Sequence, residues 1–107
     1  MKFGLSDTAI AIIHAIFKKY PTIEKAVIYG SRAKGNYKQG SDIDITLFGN
    51  TLSAHQLMHV SQELDDSALP YLVDISIFDQ LDNASLREHI QRVGLVFYER
   101  AEAQDEQ

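Results

Sequence analysis

The residues best suited to chemistry lie between positions 30 and 44, where a glycine and a serine precede a pair of carboxylates. Gly30 and Ser31 are followed, after ten intervening residues, by Asp42 and Asp44. A glycine permits a sharp turn and the close approach of a ligand, while a serine hydroxyl and nearby backbone N–H groups can donate to phosphate oxygens. The segment therefore predicts an anion cradle beside two acidic side chains.

The spacing of the acids indicates what they could bind. Asp42 and Asp44 lie two positions apart in DIDITLFG, which alternates polar and apolar residues. Side chains two positions apart in a strand share one face, so the carboxylates are held together while Ile43 and Ile45 face the core. Such a pair repels unless a divalent cation lies between them, and oxygen ligands near phosphate favour Mg²⁺. Asp74, inside the apolar segment YLVDISIF, is a third acid that requires a partner.

Helices and strands are predicted to alternate around these acids. Four strands are predicted, over 25–30, 42–49, 71–78 and 95–99. Three longer helices are predicted, over 6–20 with Ser6 as its cap, between 51 and 70, and from Asn83 or Ser85 to Gly94. Residues 31–34 should form a single helical turn that Gly35 ends.

The composition indicates one globular domain. The chain has 107 residues, of which 45% are hydrophobic and 23% charged, and these values are typical of a single domain, expected over 1–100 with a frayed acidic tail over 101–107. A net charge of −5 argues against a broad nucleic-acid surface. The chain lacks cysteine and has no apolar segment long enough for a signal peptide or a membrane span. We therefore expect a cytoplasmic protein without membrane contact.

Two familiar phosphate and metal motifs do not fit the segment. Gly30 and Gly35 have the glycine spacing of a P-loop, but Asn36 stands where that motif requires lysine. If a calcium loop began at Asp42, Leu47 would occupy the position of its required glycine. The segment is therefore neither a P-loop nor an EF-hand.

Other polar residues allow two interpretations each. His55 and His59 are one helical turn apart and could bind a metal, but they lie opposite the apolar stripe of their helix, which favours a solvated face. Arg32 and Lys34 could neutralise a triphosphate or could simply be exposed cations in a turn.

Gly30-Ser31, the ten-residue spacer, Asp42-x-Asp44 and the later Asp74 resemble the nucleotidyltransferase superfamily of DNA polymerase beta. The opening GSRAKG resembles its minimal nucleotidyltransferase (MNT) subgroup, over roughly residues 6–98. The resemblance implies an α/β (α+β) core with a small mixed β-sheet flanked by helices. It further implies two Mg²⁺ ions on the three aspartates, which would be the catalytic residues. The ATP substrate would be bound by Gly30, Ser31, Arg32 and Ser41.

The same resemblance implies a protein partner. Members of this type are paired with a helical HEPN protein, often a ribonuclease toxin, and transfer AMP from ATP to one of its tyrosines. The chain would then be an antitoxin that acts as a protein adenylyltransferase. Two alternatives remain. A non-catalytic antitoxin that only binds a HEPN partner would not need three acids, and a small-molecule nucleotidyltransferase acting as a homodimer would lack the second domain of larger relatives.

Overall fold

The computed structural model of the protein describes residues 2–38 and 40–101. Its longer helices are α1 (Asp7–Lys18), α3 (Ala54–Asp66) and α4 (Ala84–Val93), and a single turn, α2, covers Ser31–Lys34. Its strands are β1 (Lys25–Tyr29), β2 (Ile43–Phe48), β3 (Val73–Ile77) and β4 (Leu95–Glu99). The predicted acidic tail falls outside the described residues from position 102 onward. None of the described helices has the length and apolar character needed to cross a membrane.

The four strands form one mixed sheet in the order β3-β2-β1-β4. The central strand β1 is antiparallel to both β2 and β4, whereas β3 lies parallel to β2. Because a parallel pair needs a crossover connection, the chain leaves β2, forms α3 and returns to β3 at the edge of the sheet. The predicted mixed α/β fold with flanking helices is confirmed.

Side-chain caps mark the starts of the three longer helices. The Ser6 hydroxyl accepts a hydrogen bond from the Ala9 N–H and so begins α1, as predicted. Asn83, rather than Ser85, caps α4 by accepting from the N–H of Leu86. The cap of α3 is Ser53, which the sequence prediction did not identify.

Strands β1, β2 and β3 are shorter than predicted. Gly30 leaves the extended conformation with φ 76°, so β1 ends at Tyr29. Strand β2 begins at Ile43, which places Asp42 in the preceding loop rather than within the strand. Strand β3 ends at Ile77, where the chain turns into the 3-10 segment Phe78–Gln80.

The two faces of the sheet are covered unequally. Helices α1 and α3 pack on the inner face, where the main core contains the fully buried residues Ile13, Phe17, Ile28, Ile43, Ile45, Leu47 and Val60. On the outer face, α4 contributes Ile90 to a smaller cluster with Val27 and Phe78. Since α4 covers only part of the outer face, polar side chains of the strands can remain accessible there.

Candidate active site

Gly30 forms the turn that joins β1 to α2, and its conformation excludes other residues. Its φ of 76° and ψ of −153° lie where side chains are rarely tolerated. A Cβ atom at this position would stand 2.6 Å from Asp44 Oδ2, so the carboxylate packs directly over the glycine backbone. Gly35 ends α2 in the left-handed conformation, and its N–H donates to the Ser31 carbonyl. The predicted cradle and one predicted acid are therefore adjacent.

Three polar side chains form what we call the acidic row, namely Tyr29, Asp44 and Asp74. Asp44 of β2 pairs with Tyr29 of β1 on one side and with Asp74 of β3 on the other. Paired residues of neighbouring strands lie about 5 Å apart and share a face of the sheet. The structure therefore brings together Asp44 and Asp74, which are 30 positions apart in the sequence.

The three predicted acids interact electrostatically. Burial raises the pKa of the Asp44 carboxyl, and the negative charges of Asp74 and then Asp42 raise this pKa further. Asp42 is exposed in the loop before β2, and Asp74 is exposed at the edge of the sheet. Asp44 is thus the most enclosed acid of the three, and a cation beside it would offset both the burial and the repulsion.

The three acids are suitable ligands for Mg²⁺, but they do not complete its coordination shell. Carboxylate oxygens are the ligands that Mg²⁺ prefers, and Mg²⁺ usually combines one or two carboxylates with waters and substrate phosphates. Among residues 2–38 and 40–101, no three acidic, histidine or cysteine side chains are gathered closely enough to hold a metal ion. The donor set therefore fits an ion that arrives with a nucleotide, rather than one held by protein alone.

Tyr29 is a candidate site residue that the sequence analysis missed. Burial and then the charge of Asp44 raise the pKa of its phenol, while contact with the Ser76 hydroxyl opposes that shift and the charge of Asp74 adds to it. The His89 ring of α4 meets the Tyr29 ring edge-on, with 6.3 Å between ring centroids. Its position directly before Gly30 could have identified Tyr29 in the sequence. Its pairing with Asp44, however, depends on strand register.

Arg32 points into the protein rather than toward the cradle. It is 3% exposed, and its guanidinium lies between the rings of Tyr37 and Tyr71, 5.1 and 5.0 Å from their centroids. Its Nε and Nη2 donate to the Ser41 carbonyl at 3.1 and 2.7 Å, and its Nη1 donates to the Phe3 carbonyl at 2.8 Å. The prediction that Arg32 binds the nucleotide has no support in these contacts.

Ser41 is also engaged within the loop that precedes β2. Its hydroxyl accepts from the Lys38 N–H at 2.9 Å, and its own N–H donates to the Lys38 carbonyl at 3.0 Å. With Arg32 bound to its carbonyl, Ser41 fixes the loop next to Asp42, so Arg32 and Ser41 both help to position that acid. Lys34, in contrast, is exposed beside the cradle.

Comparison with known proteins gives a family and a set of similar structures. The profile of the family described as polymerase beta, nucleotidyltransferase matches residues 12–103. No curated protein matches the chain significantly.

Among solved structures, a toxin–antitoxin crystallised with AMP-PNP has a TM-score of 0.68 and 22% identity, with 94% of this chain and 77% of that chain covered. A complex of tri-AMPylated Shewanella oneidensis HEPN toxin with MNT antitoxin has a TM-score of 0.66 and 19% identity, with 94% of this chain and 76% of that chain covered. A nucleotidyltransferase from Sulfolobus solfataricus, described as putative, has a TM-score of 0.55 and 20% identity, with 91% of this chain and 92% of that chain covered. At these identities the similarity establishes the fold alone.

Proposed function

Because this chain belongs to the polymerase beta nucleotidyltransferase family, we propose that it transfers AMP from ATP to a tyrosine of a HEPN ribonuclease toxin and thereby acts as an antitoxin. The observation that carries the proposal is the pairing of Asp44 with Asp74 directly beside the Gly30 turn. The similar toxin–antitoxin structures, one with AMP-PNP and one with an AMPylated HEPN toxin, support the choice of nucleotide and partner.

The cradle would bind the triphosphate of ATP. Gly30 lets phosphate oxygens approach the backbone, and the Ser31 hydroxyl and the first N–H groups of α2 can donate to them. The exposed Lys34 adds positive charge at the same turn. Arg32 and Ser41 contribute indirectly, because their hydrogen bonds fix the loop that ends at Asp42.

The reaction exchanges a phosphoanhydride bond of ATP for a phosphate ester bond to the tyrosine. The phenol oxygen of the partner's tyrosine bonds to the α-phosphorus, the bond from that phosphorus to the bridging oxygen breaks, and pyrophosphate leaves. Asp74, exposed at the sheet edge, accepts the phenol proton. Asp42, Asp44 and Asp74 would hold Mg²⁺, which supplies neutralisation of the charge on the triphosphate. The remaining contribution of the protein is to position its substrates.

Intact-mass analysis of the partner tests this function. The protein, ATP, Mg²⁺ and a HEPN toxin are incubated together, and we expect the toxin to gain the mass of AMP at a tyrosine located by peptide sequencing. Asp42→Asn and Asp44→Asn should abolish that gain without unfolding the domain, because both changes remove repulsion between like charges. Asp65→Asn, which removes an exposed carboxylate from α3, is the matched control and should transfer AMP normally.

The alternatives predict different results. Toxin that is neutralised without any mass gain would contradict the proposal and favour a non-catalytic antitoxin. Labelled AMP that appears on a small molecule but never on the toxin would favour the homodimeric small-molecule enzyme. Full transfer by Asp44→Asn would contradict the assignment of the acidic row as the active site.

A further inference from the structure

Helix α3 carries two histidines on its solvent side. His55 and His59 are one turn apart, and both are exposed. Their Nε2 atoms are 3.0 Å apart, and their ring centroids are separated by 4.7 Å. Because α3 packs on the inner face of the sheet through Val60 and Leu64, this pair belongs to a different layer from the acidic row.

The short distance between the two rings fits a hydrogen bond between them. Two neutral imidazoles can share one such bond, with an Nε2–H donor on one ring and an Nε2 acceptor on the other. If the donor ring moves its proton from Nε2 to Nδ1, neither Nε2 carries a proton, and both lone pairs are free to bind an ion. That change of tautomer needs no net loss of a proton, and neutral imidazole is the form of histidine that binds metals.

The separation of the two Nε2 atoms matches that in a chelate. Metal–nitrogen bonds to histidine are about 2.0–2.1 Å long, so one ion bound by two nitrogens at an angle of about 90–110° holds them roughly 2.9–3.4 Å apart. The observed separation of 3.0 Å falls within this range. We propose that His55 and His59 chelate one divalent transition-metal ion on the exposed face of α3.

The surroundings of the pair define the class of ion. Two imidazoles suit Zn²⁺, Ni²⁺ and Cu²⁺ rather than Mg²⁺, and Cu²⁺ should bind most tightly of the three. Met58 lines the same hollow and is 72% exposed, which adds a soft thioether beside the imidazoles.

The next turn of α3 does not supply a third ligand. Glu63 accepts a hydrogen bond from the Lys19 ammonium at 2.7 Å and another from the Tyr20 hydroxyl. These bonds lower the pKa of Glu63, and the charge of Lys19 lowers it further. An ion on the histidine pair would therefore keep open coordination positions for water or for a ligand from another molecule. This distinguishes it from a closed structural zinc site.

Proton NMR of the whole chain titrated with Zn²⁺ tests the site, because the chain has four histidines and each ring gives separate signals. We expect the His55 and His59 signals to change together and to saturate. The His14 ring, whose Nε2 lies 2.8 Å from the Phe97 carbonyl, serves as an internal control. A change at His89 alone would report an ion near the acidic row, so this experiment succeeds or fails independently of the proposed enzymatic function.

Single variants separate chelation from weak binding to one ring. His55→Ala and His59→Ala should each weaken Zn²⁺ binding at least about tenfold in calorimetry, because each removes half of the chelate. His89→Ala removes a histidine without a partner one turn away and should leave this affinity unchanged. Saturation at either one ion per chain or one per two chains supports chelation. Equal affinity in His59→Ala, or changes confined to a single ring, would overturn it.

Discussion

The outer face of the sheet carries different environments at its two ends, although the same strands form both. At one end, the acidic row holds Asp44 close to Asp74, and burial, followed by the neighbouring negative charges, raises the pKa of Asp44. At the other end, which we call the apolar end, the Phe48 and Phe78 rings stack with centroids 4.8 Å apart. Lys25 Nζ lies 4.5 Å above the Phe48 ring, and the Arg87 guanidinium lies 4.3 Å above the Phe78 ring.

The two ends of this face have opposite effects on the stability of the fold. The apolar end buries aromatic surface under α4 and places cations on ring faces, both of which stabilise the fold. The acidic row does the reverse, since it holds acids together that would separate in an unfolded chain. Between the two ends, the Ser76 hydroxyl donates to the hydroxyl of the fully buried Thr46 at 2.9 Å. Variants of the two ends should therefore affect different quantities.

Phe78→Ala should give the largest effect, and the effect should be on stability. The side chain is 6% exposed, and its loss would leave a cavity between Phe48 and Ile90, with an expected cost of about 3–5 kcal/mol in the free energy of unfolding. Urea denaturation measures this cost, and AMP transfer per folded molecule should be unchanged. Leu72→Ala, at a residue 69% exposed, is the control and should cost under about 0.5 kcal/mol. Equal costs would contradict the division between the two ends.

Asp74→Asn should break the acidic row without affecting the apolar end. The amide retains the shape of the side chain but loses its charge and basicity, so AMP transfer should fall by ~10²-fold or more, equivalent to at least about 2.7 kcal/mol of activation free energy. Calorimetry should still detect binding of ATP with Mg²⁺, and the unfolding free energy should not decrease. Normal transfer by this variant would show that Asp74 is merely an exposed acid on an edge strand.

Gly30→Ala and Gly35→Ala form a matched pair for the cradle. Both glycines have positive φ, 76° and 84°, so both changes strain the backbone. Only at Gly30 would the new Cβ approach a carboxylate, at 2.6 Å from Asp44 Oδ2, whereas nothing lies within 4 Å at Gly35. We expect Gly30→Ala to transfer AMP at least roughly tenfold more slowly than Gly35→Ala does. The reason is that a displaced Asp44 carboxylate would lose its position relative to the substrates. Equal rates in the two variants would mean that Asp44 acts independently of the cradle.

The smallest effect expected on stability is that of Asp44→Asn, which should gain stability in the absence of metal. The raised pKa of Asp44 means that its ionised form is less favourable in the folded protein than in the unfolded chain, where the pKa is about 3.9. The stability of the parent therefore falls as the pH rises from the unfolded pKa through the folded one. At pH 7 the variant should melt above the parent, and at pH 3 this advantage should disappear. An advantage that persists at pH 3 would point to a cause other than ionisation.

The sequence predicted those features that depend on neighbouring residues. Helical periodicity and the Ser6 cap placed α1, and alternating residues placed β2, because each pattern lies within one element. The turn SRAK and its end at Gly35 were also predicted, since a glycine after a short helix favours the left-handed conformation. Asp42 and Asp44 were recognised for the same reason, as they belong to one continuous motif.

The remaining features depend on contacts between distant segments. Strand register places Tyr29 opposite Asp44, and no pattern within β1 or β2 specifies that register. The burial of Arg32 requires Phe3 and Tyr71, which lie on opposite sides of it in the sequence. A charged residue in a glycine-rich turn is usually exposed, so neither of the two interpretations of Arg32 in the sequence analysis included its burial.

The position of β3 has a consequence for hydrogen exchange. This strand has a single neighbour, β2, whereas β1 and β2 each lie between two strands. Local opening can release an edge strand while the centre of the sheet stays folded. The amide protons of β3 should therefore exchange before those of β1, so Asp74 belongs to a less protected unit than Asp44. The two acids can separate and rejoin without global unfolding, and a ligand that binds both would slow exchange along the whole of β3.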